Sequence, residues 1–205
     1  MNHPIYTIGR EFGSGGKDIG MALANRLGIK CYDKELLKEA SKQSGFCAEI
    51  FENHDEKPTS SFLYSLVMDT YSFGGYTSAP FLDMPLNHKV FLAQFDTIKK
   101  IAEKESCVIV GRCADYALAD NPNCINVFIH ADLDYRAERL SQKLNLTVNK
   151  ARDMIHKTDK QRASYYNYYT SKKWGDSRSY HLTLDSGRIG VEGCVDLIIA
   201  YQKHV

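Results

Sequence analysis

Short apolar runs rich in β-branched and aromatic residues recur along the chain: "IYTIG" from Ile5, "IKCYD" from Ile29, "CVIVGR" from Cys107, "CINVFIHA" from Cys124 and "YHLTLDSG" from Tyr180. Each reads as a strand, most clearly "CVIVGR", where four apolar residues precede Gly111 and Arg112. Between these runs the apolar positions take helical spacing. "DIGMALANRLG" puts Ile19, Leu23 and Leu27 on one face and closes at Gly28, and "KELLKEASKQSG" predicts a helix stopped by Gly45. "NHKVFLAQFDTIKKIAEKES" aligns Val90, Phe91, Phe95, Ile98 and Ile101. "DLDYRAERLSQKLN" begins a helix with Asp132 as its N-cap, and "IGVEGCVDLIIAYQKH" supplies the last one. Apolar strands alternating with helices predict a parallel sheet covered on both faces.

Two stretches break the pattern. From Gly45 to about Asn87, "HDEKPTS" and "SFGGYTSAPFLDMP" carry the prolines and glycines of loops and turns, mixed with aromatics. From Thr147 to about Ser179 the chain is polar, basic and rich in tyrosine.

With 205 residues, 43% of them hydrophobic and 25% charged, the chain has the composition of one globular domain with inserts. Its net charge of +1 gives no global attraction to nucleic acid or membrane, so electrostatic specialisation must be local. The N-terminus shows no basic segment followed by an apolar run, and no apolar run is long enough to span a bilayer, so a cytoplasmic protein is expected. The six cysteines form no CxxC pair and the seven histidines no HxxxH, the pattern of free buried thiols and not of a zinc site.

The candidate chemistry lies in "GREFGSGGKDIG". A strand, a glycine-rich turn, a lysine and an immediate helix make an anion site: backbone N–H groups of Gly13, Ser14, Gly15 and Gly16 can curl around a phosphate, the helix N-terminus adds partial positive charge, and Lys17 can reach a terminal phosphate. A tight turn without a ligand would need the same small residues. The familiar GxxxxGK[ST] loop has a hydroxyl after the lysine and a glycine at its first position. Here Asp18 and Glu11 stand there. Asp18 is either a magnesium ligand or the cap of the first helix.

Together, "YTIGREFGSGGKDIGMALANRLGIKCYDKELL", "SCVIVGRCADYAL" and "KTDKQRASYYNYYTSKKWGD…YHLTLDSGRIGVEGCVDLI" resemble the cytidylate kinase-like family of nucleoside monophosphate kinases. In that family an acidic residue commonly follows GG[KR]. The resemblance implies a three-layer α/β/α P-loop kinase fold with a five-stranded parallel sheet, spanning residues 1–205 as one domain. It places an acceptor-binding insert at 45–87 and a lid, two helical arms around "KTDKQR", at 147–179. It implies ATP with Mg2+ as donor and a nucleoside monophosphate, CMP or dCMP, as acceptor. By similarity, Arg112 faces the acceptor, Asp33 ends the second strand, and Asp159 and Arg162 belong to the acceptor side of the lid. Arg136 and Arg139 lie near the donor phosphates, and Lys17, Arg112, Arg136 and Arg162 carry the catalytic charge. The chain departs from true cytidylate kinases in reading Gly111-Arg112-Cys113 for GRD, and its lid pattern is thinned to Lys157, Asp159, Lys160 and Arg162.

Two other readings stand beside this one. The missing hydroxyl after Lys17 suits a nucleotide-binding regulatory protein without catalysis. The interleaved basic and aromatic residues of "RASYYNYYTSKKWGDSRSYH" suit a single-strand nucleic-acid binder, although a lid needs the same composition and its tyrosines can simply pack.

Overall fold

The computed structural model describes residues 3–44, 48–57 and 85–205. Their strands form one parallel sheet in the order β2-β3-β1-β4-β5: β1 Ile5–Arg10, β2 Lys30–Tyr32, β3 Cys107–Val110, β4 Cys124–His130 and β5 Leu182–Asp185. The central strand β1 pairs Ile5 to Ile8 with Cys107 to Val110 on one side and Ile5 to Arg10 with Cys124 to Ile129 on the other.

Alternation along β1 feeds two cores. Tyr6 and Ile8 pack with Val108, Val110, Val127 and Ile129 beneath α1 (Gly16–Leu27) and the C-terminal helix, while Ile5 packs with Tyr32, Leu36, Ile98 and Ile109 on the opposite face. Ile5, Ile8, Ile109 and Ile129 are completely buried. Each such side chain contributes roughly 1.5–3 kcal/mol of hydrophobic stabilisation. The layers on the second face are α2 (Lys34–Ser44), α3 (Ala48–His54) and α4 (Leu86–Lys104), with a short α5 (Ala114–Ala117) after β3. Then come α6 (Leu133–Leu144), α7 (Val148–Thr170) and α8 (Ser186–Gln202).

Several expectations change. The "KTDKQR" segment is not flanked by two arms: it lies inside the continuous helix α7, whose N-cap Thr147 accepts from the Lys150 N–H at 3.4 Å. Ala151, Ile155, Tyr165, Tyr166 and Tyr169 give α7 a buried face that runs past the polar centre. Asp132 stands at the N-cap of α6 but makes no side-chain capping bond. The stretch predicted as loops contains α3, while Gly45 and residues 58–84 lie outside the described residues. The last helix begins at Ser186, earlier than its pattern suggested, because Asp185 caps the Gly187 N–H at 2.9 Å; Gly190 then kinks it.

Among the described cysteines, Cys107, Cys113, Cys124 and Cys194 are buried and Cys31 half-buried, all as free thiols. No helix among the described residues is long and apolar enough to cross a membrane.

Candidate active site

The carboxyl ends of β1, β3 and β4 open at the point where the chain, after building outward to β2 and β3, crosses to the other side of β1. Such switch points form the ligand crevice of open parallel sheets. The turn after β1 lines a cavity of about 260 Å³ there, with Gly13, Gly15, Gly16, Lys17 and Asp18 on one wall and Arg10, Asp33, Arg139, Lys143 and Arg162 around it. Gly13 and Gly15 hold φ of 86° and 84°, which side chains rarely adopt, so the turn curls with its backbone bare before α1 starts at Gly16. Ser14 is buried beneath the turn, its Oγ 2.9 Å from the Glu11 carbonyl, and Ser186 Oγ donates to the Ser14 carbonyl at 2.6 Å. The cradle is thereby anchored to α8.

Lys17 reaches across the cavity to Asp33, Nζ to Oδ2, at 2.8 Å. That bond raises the lysine pKa. Burial opposes ionisation of Asp33, but Lys17 and then Arg112 outweigh it and hold the carboxyl below its ordinary range. Asp18 lies in the first turn of α1, whose N-cap is Gly15, and its carboxylate pairs with Arg139 and, at 3.5 Å, with Lys143 Nζ. Asp18 therefore does not cap the helix. Arg139 also donates from Nη1 to the Gly13 carbonyl at 3.2 Å.

Arg136 is placed differently from Arg139. It is buried and does not line this cavity. Its Nη1 donates to Asp159 Oδ2 at 2.6 Å and to the Phe12 carbonyl at 3.2 Å, while Asp159 Oδ1 accepts from the Phe12 N–H at 2.7 Å. The Nε stands 3.4 Å from Glu11 Oε2 without a hydrogen bond. Arg136 and Asp159 thus tie α6 and α7 to the outer edge of the turn.

The third group was only half visible in the sequence. Arg112 follows β3 as expected, but its guanidinium is buried under Asp55: Nε to Oδ1 at 2.9 Å and Nη2 to Oδ2 at 2.8 Å, with Nη1 3.5 Å from Asp33 Oδ1. Burial disfavours its charge, yet Asp55, Glu56 and Asp33 more than restore it. Arg162, midway along α7, donates from Nε to Glu56 Oε2 at 3.1 Å, and Arg10 Nη1 donates to Glu56 Oε1 at 2.6 Å. Burial and the neighbouring Arg10 pull the Arg162 pKa down. Burial also works against the Glu56 charge, but Arg10 and Arg162 hold that carboxyl well below its usual range.

Arg10, Asp55 and Glu56 were missed. Arg10 carried the same signal as Arg112, an arginine at the carboxyl end of a buried strand. Asp55 and Glu56 sit where periodicity lapses and carried none.

A parallel sheet with a bare glycine cradle, a lysine at its lip and arginines from α6, α7 and two strand ends is the architecture of a P-loop phosphotransferase. The profile of the cytidylate kinase-like family matches residues 5–188, and the chain belongs to that family. Among solved structures, an uncharacterized protein from Eubacterium ventriosum is similar at 34% identity and a TM-score of 0.74, covering 99% of this chain and 100% of that one. Shikimate kinase from Bacteroides thetaiotaomicron is similar in fold at 15% identity and a TM-score of 0.56, with 98% of each chain covered. Shikimate kinase from Acinetobacter baumannii, solved with shikimate, shows 13% identity and a TM-score of 0.51 over 98% of this chain and 94% of that one. The curated proteins yielded no match.

Proposed function

We propose that this protein transfers the terminal phosphoryl group of ATP to a nucleoside monophosphate, with CMP or dCMP the acceptor that family membership favours. The observation that carries the reading is the convergence of the glycine cradle, Lys17, Arg10, Arg139 and Arg162 on one cavity. Phosphoryl transfer asks a protein for alignment and charge neutralisation more than for covalent chemistry. An acceptor phosphate oxygen attacks the terminal phosphorus, and the bond to the bridging oxygen breaks to leave ADP. The cradle N–H groups and Lys17 hold the donor phosphates, Arg139 covers their outer side, and Arg10, Arg112 and Arg162 serve the acceptor. Helix α7 carries Arg162 and Asp159 over the crevice, and with the chain to Ser179 it acts as the lid.

The cradle suits a phosphate because Gly13 and Gly15, at φ 86° and 84°, leave its backbone N–H groups uncovered by side chains. Among the described residues no three His, Cys, Asp or Glu side chains are grouped to hold a metal alone. Mg2+ would therefore sit on the donor phosphates with Asp18 as a protein ligand, neutralising charge there.

The regulatory reading keeps one specific support: Asp18 in place of the hydroxyl, already paired with Arg139. Incubation with ATP, Mg2+ and a panel of nucleoside monophosphates separates the two. The expected products are ADP and CDP. Tight ATP binding with no diphosphate from any acceptor would establish the regulatory reading instead. Of the aromatics that suggested a nucleic-acid binder, Tyr165, Tyr166 and Tyr169 are buried, with Phe91 stacked on Tyr169 at 3.9 Å between ring centroids, which supports packing as their task, while Tyr168 and Trp174 are half-buried.

A further inference from the structure

The arginines on the acceptor side are neutralised from within. Asp55 and Glu56, consecutive residues just beyond α3, cover Arg112, Arg10 and Arg162. The place taken by the Glu56 carboxylate has features that this side chain alone does not require.

The backbone beneath it is one. Gly111, Arg112 and Cys113 follow one another at φ of 77°, 55° and 55°, a left-handed run that non-glycine residues rarely adopt. The Gly111 N–H is held by the Ile8 carbonyl at 3.0 Å, which leaves the Arg112 N–H to floor a small concavity, where it donates to Glu56 Oε1 at 3.2 Å. A Cβ at Gly111 would fall on the Arg10–Glu56 pair, so the bare glycine clears the space above the concavity. Two guanidinium groups then meet there: Arg10 forks onto both carboxylate oxygens, at 2.6 and 3.3 Å, and Arg162 binds one of them. Both arginines also line the cavity of the glycine cradle, so the concavity adjoins that cradle. The occupant is itself held awkwardly, because Glu56 sits at φ 49°.

We propose that this concavity, built by Arg10, Gly111, the Arg112 N–H and Arg162, is the subsite for the acceptor's phosphate monoester, and that Glu56 is an internal occupant displaced when the acceptor enters. The proposal rests on the phosphoryl-transfer reading above. A phosphate carries more charge than the carboxylate and suits the same guanidinium forks. Its entry lets Glu56 leave a left-handed conformation. Asp55 moves with its neighbour and uncovers the Arg112 guanidinium for the same phosphate. The internal anion lowers the apparent affinity by the fraction of molecules in which the subsite is closed.

Glu56→Gln keeps the shape and removes the competing charge. With ADP saturating the cradle, calorimetric titration with inorganic phosphate should give a Kd about tenfold lower in Glu56→Gln than in the native protein, as expected if about one native molecule in ten is open. Equal or weaker phosphate binding in the variant overturns the proposal. Should the variant not fold, hydrogen exchange on the native protein decides: saturating phosphate should speed exchange over residues 50–57, and unchanged or slower exchange overturns the proposal. An error in the acceptor assignment shows separately, because phosphate would then gain affinity in Glu56→Gln while no nucleoside monophosphate is turned over.

Discussion

Asp159 and Arg136 form a strut between α7 and the glycine-rich turn, with Asp159 Oδ2 accepting from Arg136 Nη1 at 2.6 Å while Oδ1 accepts from the Phe12 N–H at 2.7 Å. Asp159 was expected on the acceptor side of a lid, and Arg136 near the donor phosphates. The geometry favours another task for each: Asp159 fixes how far α7 stands from the cradle, and Arg136 supplies the countercharge that makes a nearly buried carboxylate tolerable.

Removing one partner of such a pair strands the other without water. Asp159→Ala should therefore lower the unfolding free energy by about 3–5 kcal/mol, read from urea midpoints at constant slope. Limited proteolysis should reach α7 sooner in the variant. A loss below about 1 kcal/mol, the range of exposed pairs, would make the contact incidental.

Lys17→Ala tests the cradle. The Lys17 side chain is about half exposed, so its loss costs little folding energy, but it leaves Asp33 facing the cavity with only the more distant Arg112 as countercharge. ATP affinity should fall by about tenfold or more, and Asp33→Asn in the same chain should recover part of it, because charge on a phosphate is what the lysine supplies. An unaltered ATP Kd in Lys17→Ala would place the nucleotide elsewhere.

Acid should loosen the crevice before it unfolds the sheet. Glu56 and Asp33 are both held below their ordinary values of 4.5 and 3.8. Depressed acids stabilise the fold fully above the unfolded value and lose that contribution as pH falls toward the folded one. Thermal midpoints should thus decline most steeply below about pH 5, after a shallower fall from about pH 6.5 set by His88, whose burial disfavours the protonated ring. Asp115 opposes this trend, since burial raises its pKa and protonation relieves it. Glu56→Gln should flatten the acid limb, and a slope identical to the native one would exonerate Glu56.

The strands were legible because their burial is written in β-branched and aromatic residues, and Gly28 and Gly111 marked where elements end. Helix α7 was divided in two because Lys157, Asp159, Lys160 and Arg162 hide a periodicity that Ala151, Ile155, Tyr165 and Tyr169 carry on either side. Within the site, the cradle and Lys17 could be read because backbone chemistry needs glycine there. The covering of Arg112 could not. An ion pair between Asp55 and Arg112 joins residues 57 positions apart, and no local pattern encodes a partner at that distance.

Asp18 remains the residue that separates this cradle from one with a hydroxyl. Its carboxylate holds Arg139, which also donates to the Gly13 carbonyl, so a negative charge and its countercharge flank the turn where donor phosphates and Mg2+ would lie. With Mg2+ bound, Asp18 would serve as its ligand, and Arg139 would turn from the carboxylate to the donor phosphates. Asp18→Asn tests this, because asparagine keeps the shape but is a much weaker ligand for a hard cation. Metal-free ATP should bind the variant more tightly, since a repelling charge is gone and Arg139 no longer has a carboxylate to neutralise. The Mg2+ concentration for half-maximal turnover should rise by about tenfold, the loss of one carboxylate ligand from a site that keeps its phosphates. A magnesium titration unchanged from the native protein would leave Asp18 as a structural partner of Arg139 alone.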